Sequence, residues 1–183
     1  MIRAAGFVLA GGRSSRMGRD KALLAFQGST LVESAAAKVR RAAGNVTLLG
    51  SPELYGHLGI PVVADLIPDC GPMGGLHTAL MATQADWNLL VACDMPGLTV
   101  DLLTSLLLQA PGCGADALVP QWEGQWEPLC AVYHRRLAFP AKAALDRKFF
   151  KMQDFVSQIG ACPWPAPDPS LFANWNTPEE IGA

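Results

Sequence analysis

The sequence is poor in charge. Only 16% of its 183 residues are Asp, Glu, Lys or Arg, and 14 cations against 16 acids leave a formal net charge of −2. No positive field exists to hold a nucleic acid or an anionic membrane surface, so any anionic ligand has to be gripped locally. Histidine is scarce: His57, His77 and His134 form no metal-ligand spacing with one another or with the acids. The five cysteines, at 70, 93, 113, 130 and 162, are odd in number and include no C-x-x-C pair. That argues against a disulfide framework or a zinc site and for free thiols in a reducing compartment. Long apolar runs are lacking too. The longest uncharged stretches, 70–85 and 102–115, are interrupted by Gly or Pro and fall short of the ~20 residues of a membrane helix. The apolar opening after Met1-Ile2-Arg3 is at the lower limit for a signal peptide, and its removal would take away the first predicted strand. A retained N-terminus and a cytoplasmic protein are expected.

What is present is a composition that is 50% hydrophobic in a chain of single-domain length, without internal repeats. One domain over 1–183 is expected. Gly6–Ala10 is a short apolar run that stops at Gly11-Gly12, as a buried parallel strand does. Thr30-Leu31-Val32-Glu33 has the capping-box pattern, Val32, Ala36, Val39 and Ala43 follow helical spacing, and Gly44 ends the helix. Val46–Leu49, Ile60–Val63 and Trp87–Cys93 read as strands, with helices over Leu76–Thr83 and Val100–Gln109. Ala115–Val119 and Pro128–Tyr133 read as extended, Phe155–Ile159 as helical, and the proline-rich 163–169 as linker-like. Such alternation predicts an α/β fold, a doubly wound and mostly parallel sheet with helices on both faces. Ligands of these sheets bind at the carboxyl ends of the strands.

The first such edge reads Leu9-Ala10-Gly11-Gly12 and continues through Arg13, Arg16, Arg19 and Lys21, four cations in nine residues. Successive glycines allow backbone N–H groups to approach an anion; a solvated basic turn is the alternative. Neither G-x-x-x-x-G-K-[ST] nor G-x-G-x-x-G is present. Asp65 and Asp94 each follow an apolar strand, where a carboxylate needs a partner or a metal, and Asp94 is the stronger candidate for a hard-cation ligand. Asp101 reads as a helix cap. Asp69-Cys70-Gly71-Pro72-Met73-Gly74-Gly75 is either a ligand-contacting loop or a turn into the next helix. Near the end, Thr177-Pro178-Glu179-Glu180 has the signature of a helix start, which leaves Asn174 and Asn176 without a structural reason.

Taken together, Leu9-Ala10-Gly11-Gly12, Arg16-Met17-Gly18, Asp20-Lys21, Gly71-Pro72, Gly75, Cys93-Asp94-Met95-Pro96 and Asn174-x-Asn176-Thr177-Pro178-Glu179-Glu180 resemble the molybdenum cofactor guanylyltransferases. The resemblance runs from residue 9 to residue 180. It implies a Rossmann-like domain of the nucleotide-diphospho-sugar transferase type, an enzyme that moves GMP from GTP onto molybdenum-bearing molybdopterin, and a requirement for Mg2+. It further implies backbone contacts from Leu9, Ala10, Gly11 and Gly12 to the nucleotide, and triphosphate binding by Lys21 with help from Arg16. Asp94 would carry the metal, Asp65 would contact the nucleotide, and Asn174 and Asn176 would face the pterin. Other cofactor-assembly proteins or recipient molybdoenzymes are the transient partners implied.

One departure stands out: where relatives often carry an Asn after the second strand, this chain has Leu48-Leu49-Gly50-Ser51. Three alternatives therefore stay open. They are a CTP-dependent transferase for the same acceptor, a sugar-phosphate nucleotidyltransferase, and a nucleotide-binding adaptor without catalysis.

Overall fold

Residues 3–11 and 20–175 are described by the computed structural model. The strands are β1 (Ala4–Leu9), β2 (Ala25–Phe26), β3 (Ser29–Thr30), β4 (Thr47–Leu49), β5 (Val62–Val63), β6 (Trp87–Ala92), β7 (Ala117–Trp122), β8 (Gln125–Trp126), β9 (Cys130–His134) and β10 (Cys162–Pro165). The helices are α1 (Leu31–Ala43), α2 (Pro52–Tyr55), α3 (Gly71–Met81), α4 (Val100–Gln109), α5 (Ala138–Asp146) and α6 (Met152–Gln158). None of the described helices is long and apolar enough to cross a membrane.

Strand order in the main sheet is β10-β7-β9-β6-β1-β4-β5, with β8 pairing to β7, while β2 and β3 form a separate hairpin. β1 lies between parallel β4 and β6, and β5 continues the parallel set. β9 runs antiparallel to both β6 and β7, and the short β8 is antiparallel to β7. The mostly parallel α/β expectation holds. Its cause is visible in the burial of consecutive residues. Val8, Leu48, Leu89 and Val91 pack with Val32, Ala36 and Val39 of α1 and Leu103 and Leu106 of α4. Their neighbours Phe7, Leu49 and Leu90 pack on the other face with Leu76 and Leu80 of α3, Ala141 and Leu145 of α5, and Phe155 of α6. Successive strand residues point to opposite faces, so a strand covered on both sides must be apolar throughout.

The capping box forms as expected: Glu33 N donates to Thr30 Oγ1 at 3.3 Å and Thr30 N to Glu33 Oε2 at 3.0 Å. Gly44 closes α1 in the left-handed region, its N–H bonded to Arg40 O at 2.9 Å. Thr99 rather than Asp101 caps α4, accepting from Leu102 N at 3.2 Å, and Asp101 sits in the first turn, where a negative charge suits the helix dipole.

Two expectations need correction. α3 begins at Gly71, five residues before the predicted Leu76, so Gly74 and Gly75 belong to a helix rather than to a loop or turn. Close packing explains Gly75: a Cβ there would lie 2.2 Å from Leu9 Cδ2. The linker-like segment contributes β10, a parallel edge strand on β7. Ala166 N donates to Gln121 O, so Trp164 and Ala166 face β7 while Pro163 and Pro165, which have no N–H to give, face away.

Register aligns the carboxyl ends. Leu9 sits opposite both Ala92 and Leu49, and Leu49 opposite Val63. Three bonds knit this edge: Ala10 N to Leu49 O at 3.0 Å, Gly50 N to Val63 O at 3.0 Å and Cys93 N to Leu9 O at 3.2 Å.

Candidate active site

Lys21 opens a 3-10 turn, Lys21–Leu23, that is capped by Asp20, whose Oδ1 accepts from Ala22 N at 3.0 Å. From there Lys21 Nζ reaches Asp94, donating to Oδ2 at 3.0 Å. The two side chains are 15% and 25% exposed, which leaves both reachable from solvent. The two strand edges that the sequence singled out for cation and acid thus meet in one place. Around Asp94 the backbone is held firmly. Lys38 of α1 donates to Pro96 O at 2.7 Å, and Trp175 N donates to Asp94 O at 2.9 Å.

The other Asp94 oxygen, Oδ1, is buried and has no hydrogen-bond partner among the described residues. An unpartnered buried carboxylate oxygen costs free energy, so its presence points to a ligand. A hard divalent cation fits that oxygen. No group of three or more His, Cys, Asp or Glu that could hold a metal occurs among the described residues. A cation here would therefore take one protein carboxylate and complete its shell with water and phosphate oxygens, which is the habit of Mg2+. Burial, reinforced by the charge of Asp94, pushes the Cys93 thiol up to about 12, which keeps it protonated near neutral pH.

The C-terminal segment folds back over this edge. Phe172 stacks on Trp122 with ring centroids 5.5 Å apart, and Trp175 meets Phe26 of β2 edge-on at 5.6 Å. Asn174, expected on the acceptor side, is exposed beside this contact. Leu9, Ala10 and Gly11 lie at the carboxyl edge of β1, where Cys93 N, the neighbour of Asp94, bonds to Leu9 O. Asp65 is exposed at the end of β5, on the same edge but separated from β1 by β4. Gly12, Arg16 and Asn176, together with the helix expected from Thr177, lie outside the described residues.

Two further groups, neither given a role from the sequence, lie beside the site. Glu127, in the turn before β9, accepts from Leu129 N at 3.1 Å; burial pushes its carboxyl up to about 7 against that bond, and the negative charge of Asp94 adds to the rise. Tyr55, 1% exposed, directs its hydroxyl at Ala10 O and at Asp20 Oδ2. Glu127-Pro128 preceding an apolar strand was the only available sign for the first. A tyrosine in a short helix gives no sign for the second.

Residues 6–160 match the model of the MobA-like NTP transferase domain. Among curated proteins, a probable molybdenum cofactor guanylyltransferase of Trichormus variabilis is 33% identical over 180 residues, covering 95% of this chain and 86% of the other. One from Pelotomaculum thermopropionicum is 36% identical over 160 residues, covering 87% and 77%. Among solved structures, molybdopterin-guanine dinucleotide biosynthesis protein A of Archaeoglobus fulgidus superposes with a TM-score of 0.82 at 23% identity, covering 97% and 95%. A 2-C-methyl-D-erythritol 4-phosphate cytidylyltransferase of Thermus thermophilus does so at 0.71 and 16%, covering 96% and 94%. The fold is shared with both solved structures.

Proposed function

The chain belongs to the MobA-like NTP transferase family, and from that premise we propose that it is a molybdenum cofactor guanylyltransferase, joining the GMP portion of GTP to the terminal phosphate of molybdopterin. The observation that carries this reading is the meeting of Lys21 and Asp94, 3.0 Å apart at the carboxyl edge of the sheet, with Asp94 Oδ1 buried and unpartnered.

An acceptor phosphate oxygen attacks the α-phosphorus of GTP, the bond from that phosphorus to the α,β-bridging oxygen breaks, and pyrophosphate leaves. The attacking oxygen is already ionised near neutral pH, so no general base is required. The protein has to align the reactants and neutralise charge. Lys21 supplies an ammonium to the triphosphate and to the departing pyrophosphate, assisted by Arg16. Backbone groups of Leu9, Ala10 and Gly11, with Gly12, hold the nucleoside and phosphates, and Asp65 extends the nucleotide side. Asn174 and Asn176 present amides that pair with donors and acceptors of a pterin ring. Asp94 would hold the divalent cation, taken here as Mg2+, which supplies further neutralisation of the phosphate oxygens when bound.

The test is pyrophosphate release from each of the four triphosphates in the presence of Mg2+ and molybdenum-loaded molybdopterin. Release with GTP alone is expected. Release with CTP alone overturns the guanylyl assignment, and GTP binding without release overturns the transferase reading in favour of an adaptor.

A further inference from the structure

Tyr55 ends α2 and is 1% exposed. Its ring lies over Gly50, where an added Cβ would be 2.7 Å from Tyr55 Cε2; the bare glycine is the space the ring uses. The hydroxyl then faces two oxygens that are ten positions apart in sequence but adjacent in space. One is the Ala10 carbonyl at the end of β1, and the other is Asp20 Oδ2 at 2.5 Å. A phenol has one proton, so the two acceptors share it and are held together by it. The second Asp20 oxygen is already bonded to Ala22 N, within the turn that projects Lys21 toward Asp94. Burial, followed by the hydrogen bond to Asp20 and its charge, raises the pKa of the phenol well above its ordinary value, so it remains a donor at neutral pH.

We propose that Tyr55 is a positioning residue that clips Ala10 to Asp20, fixing the nucleotide-facing backbone of β1 and the Lys21 turn in one geometry and thereby setting the affinity for the nucleoside triphosphate. This inference rests on the nucleotide-binding reading of the Ala10 and Lys21 edge. Tyr55 touches neither reactant; it acts through groups that do. Gly50 takes part by leaving room for the ring.

The experiment compares wild type with Tyr55→Phe in the full chain, by calorimetric GTP titration and by steady-state pyrophosphate release with GTP and acceptor varied separately. Removing one partly shared hydrogen bond is expected to raise both the GTP Kd and the KM for GTP about five- to tenfold while the KM for the acceptor stays within about twofold. A merely structural hydroxyl lowers the active fraction, reducing apparent kcat and leaving both KM values unmoved. That pattern, or an unchanged GTP Kd, overturns the proposal. Should Tyr55→Phe not fold, Gly50→Ala, which displaces the same ring, carries the test: a selective loss of GTP affinity is expected, and unaltered affinity in the folded variant is fatal to the idea. Wild-type protein that binds GTP but releases no pyrophosphate retracts the proposed reaction, while the calorimetric comparison still decides the role of Tyr55.

Discussion

Lys21 Nζ stands 3.0 Å from Asp94 Oδ2, a contact between residues 73 positions apart in sequence. A partly exposed ion pair adds on the order of 1 kcal/mol or less to stability, so the fold has little need of this one. Its value is in placing an ammonium and an unsaturated carboxylate where a polyphosphate can meet both.

Lys21→Ala should fold normally by circular dichroism and lose turnover by about 10²- to 10³-fold, the usual effect of deleting one charge-stabilising group at a reacting centre. Steady-state pyrophosphate release measures it. Turnover near the wild-type level would remove Lys21 from the reaction.

Metal dependence should follow Asp94. Activity is expected to vanish in EDTA and to return with added Mg2+. Asp94→Asn, with one formal charge fewer, should need at least about tenfold more Mg2+ for half-maximal rate. An identical Mg2+ titration for the two proteins would place the cation elsewhere.

Gly75→Ala tests packing rather than chemistry. Its Cβ would meet Leu9 Cδ2 at 2.2 Å, forcing the Leu9 side chain out of its place, or α3 and the end of β1 apart. Overpacking of this kind costs about 1–3 kcal/mol, to be read from the shift in a urea unfolding midpoint.

Stability should also depend on the protonation of Glu127, whose pKa in the folded protein is about 7 against an ordinary 4.5. The folded state holds that proton more tightly than the unfolded chain, so stability falls as pH rises through this window, and the penalty is complete above it. Glu127→Gln cannot ionise. In metal-free buffer its melting temperature is expected to exceed that of wild type at pH 8, with the gap narrowing toward pH 5. A gap independent of pH would refute the burial argument.

The parallel strands were legible because residues buried on two faces must be apolar throughout, and α1 because its cap, spacing and terminal glycine agree. α5 was not. Pro140 and the preceding Arg135-Arg136 obscure it in the sequence, yet Pro140 falls in the first turn, where a missing N–H goes unused. The start of α3 was missed because Gly71-Pro72 and Gly74-Gly75 look like a loop, whereas Gly75 answers to Leu9 from a distant strand. Lys21 and Asp94 were legible as charged groups at strand ends. Tyr55 and Glu127 were not, since a buried hydroxyl or carboxyl acquires its meaning from neighbours that only the folded chain brings near.

The outward side of β10 carries a consequence for behaviour at high concentration. A sheet grows sideways when an incoming strand finds both donors and acceptors along the rim, and at Pro163 and Pro165 this rim offers acceptors alone. A docking strand would leave its own carbonyls unanswered there, so the proline pair acts as a guard against edge-to-edge aggregation built from two residues.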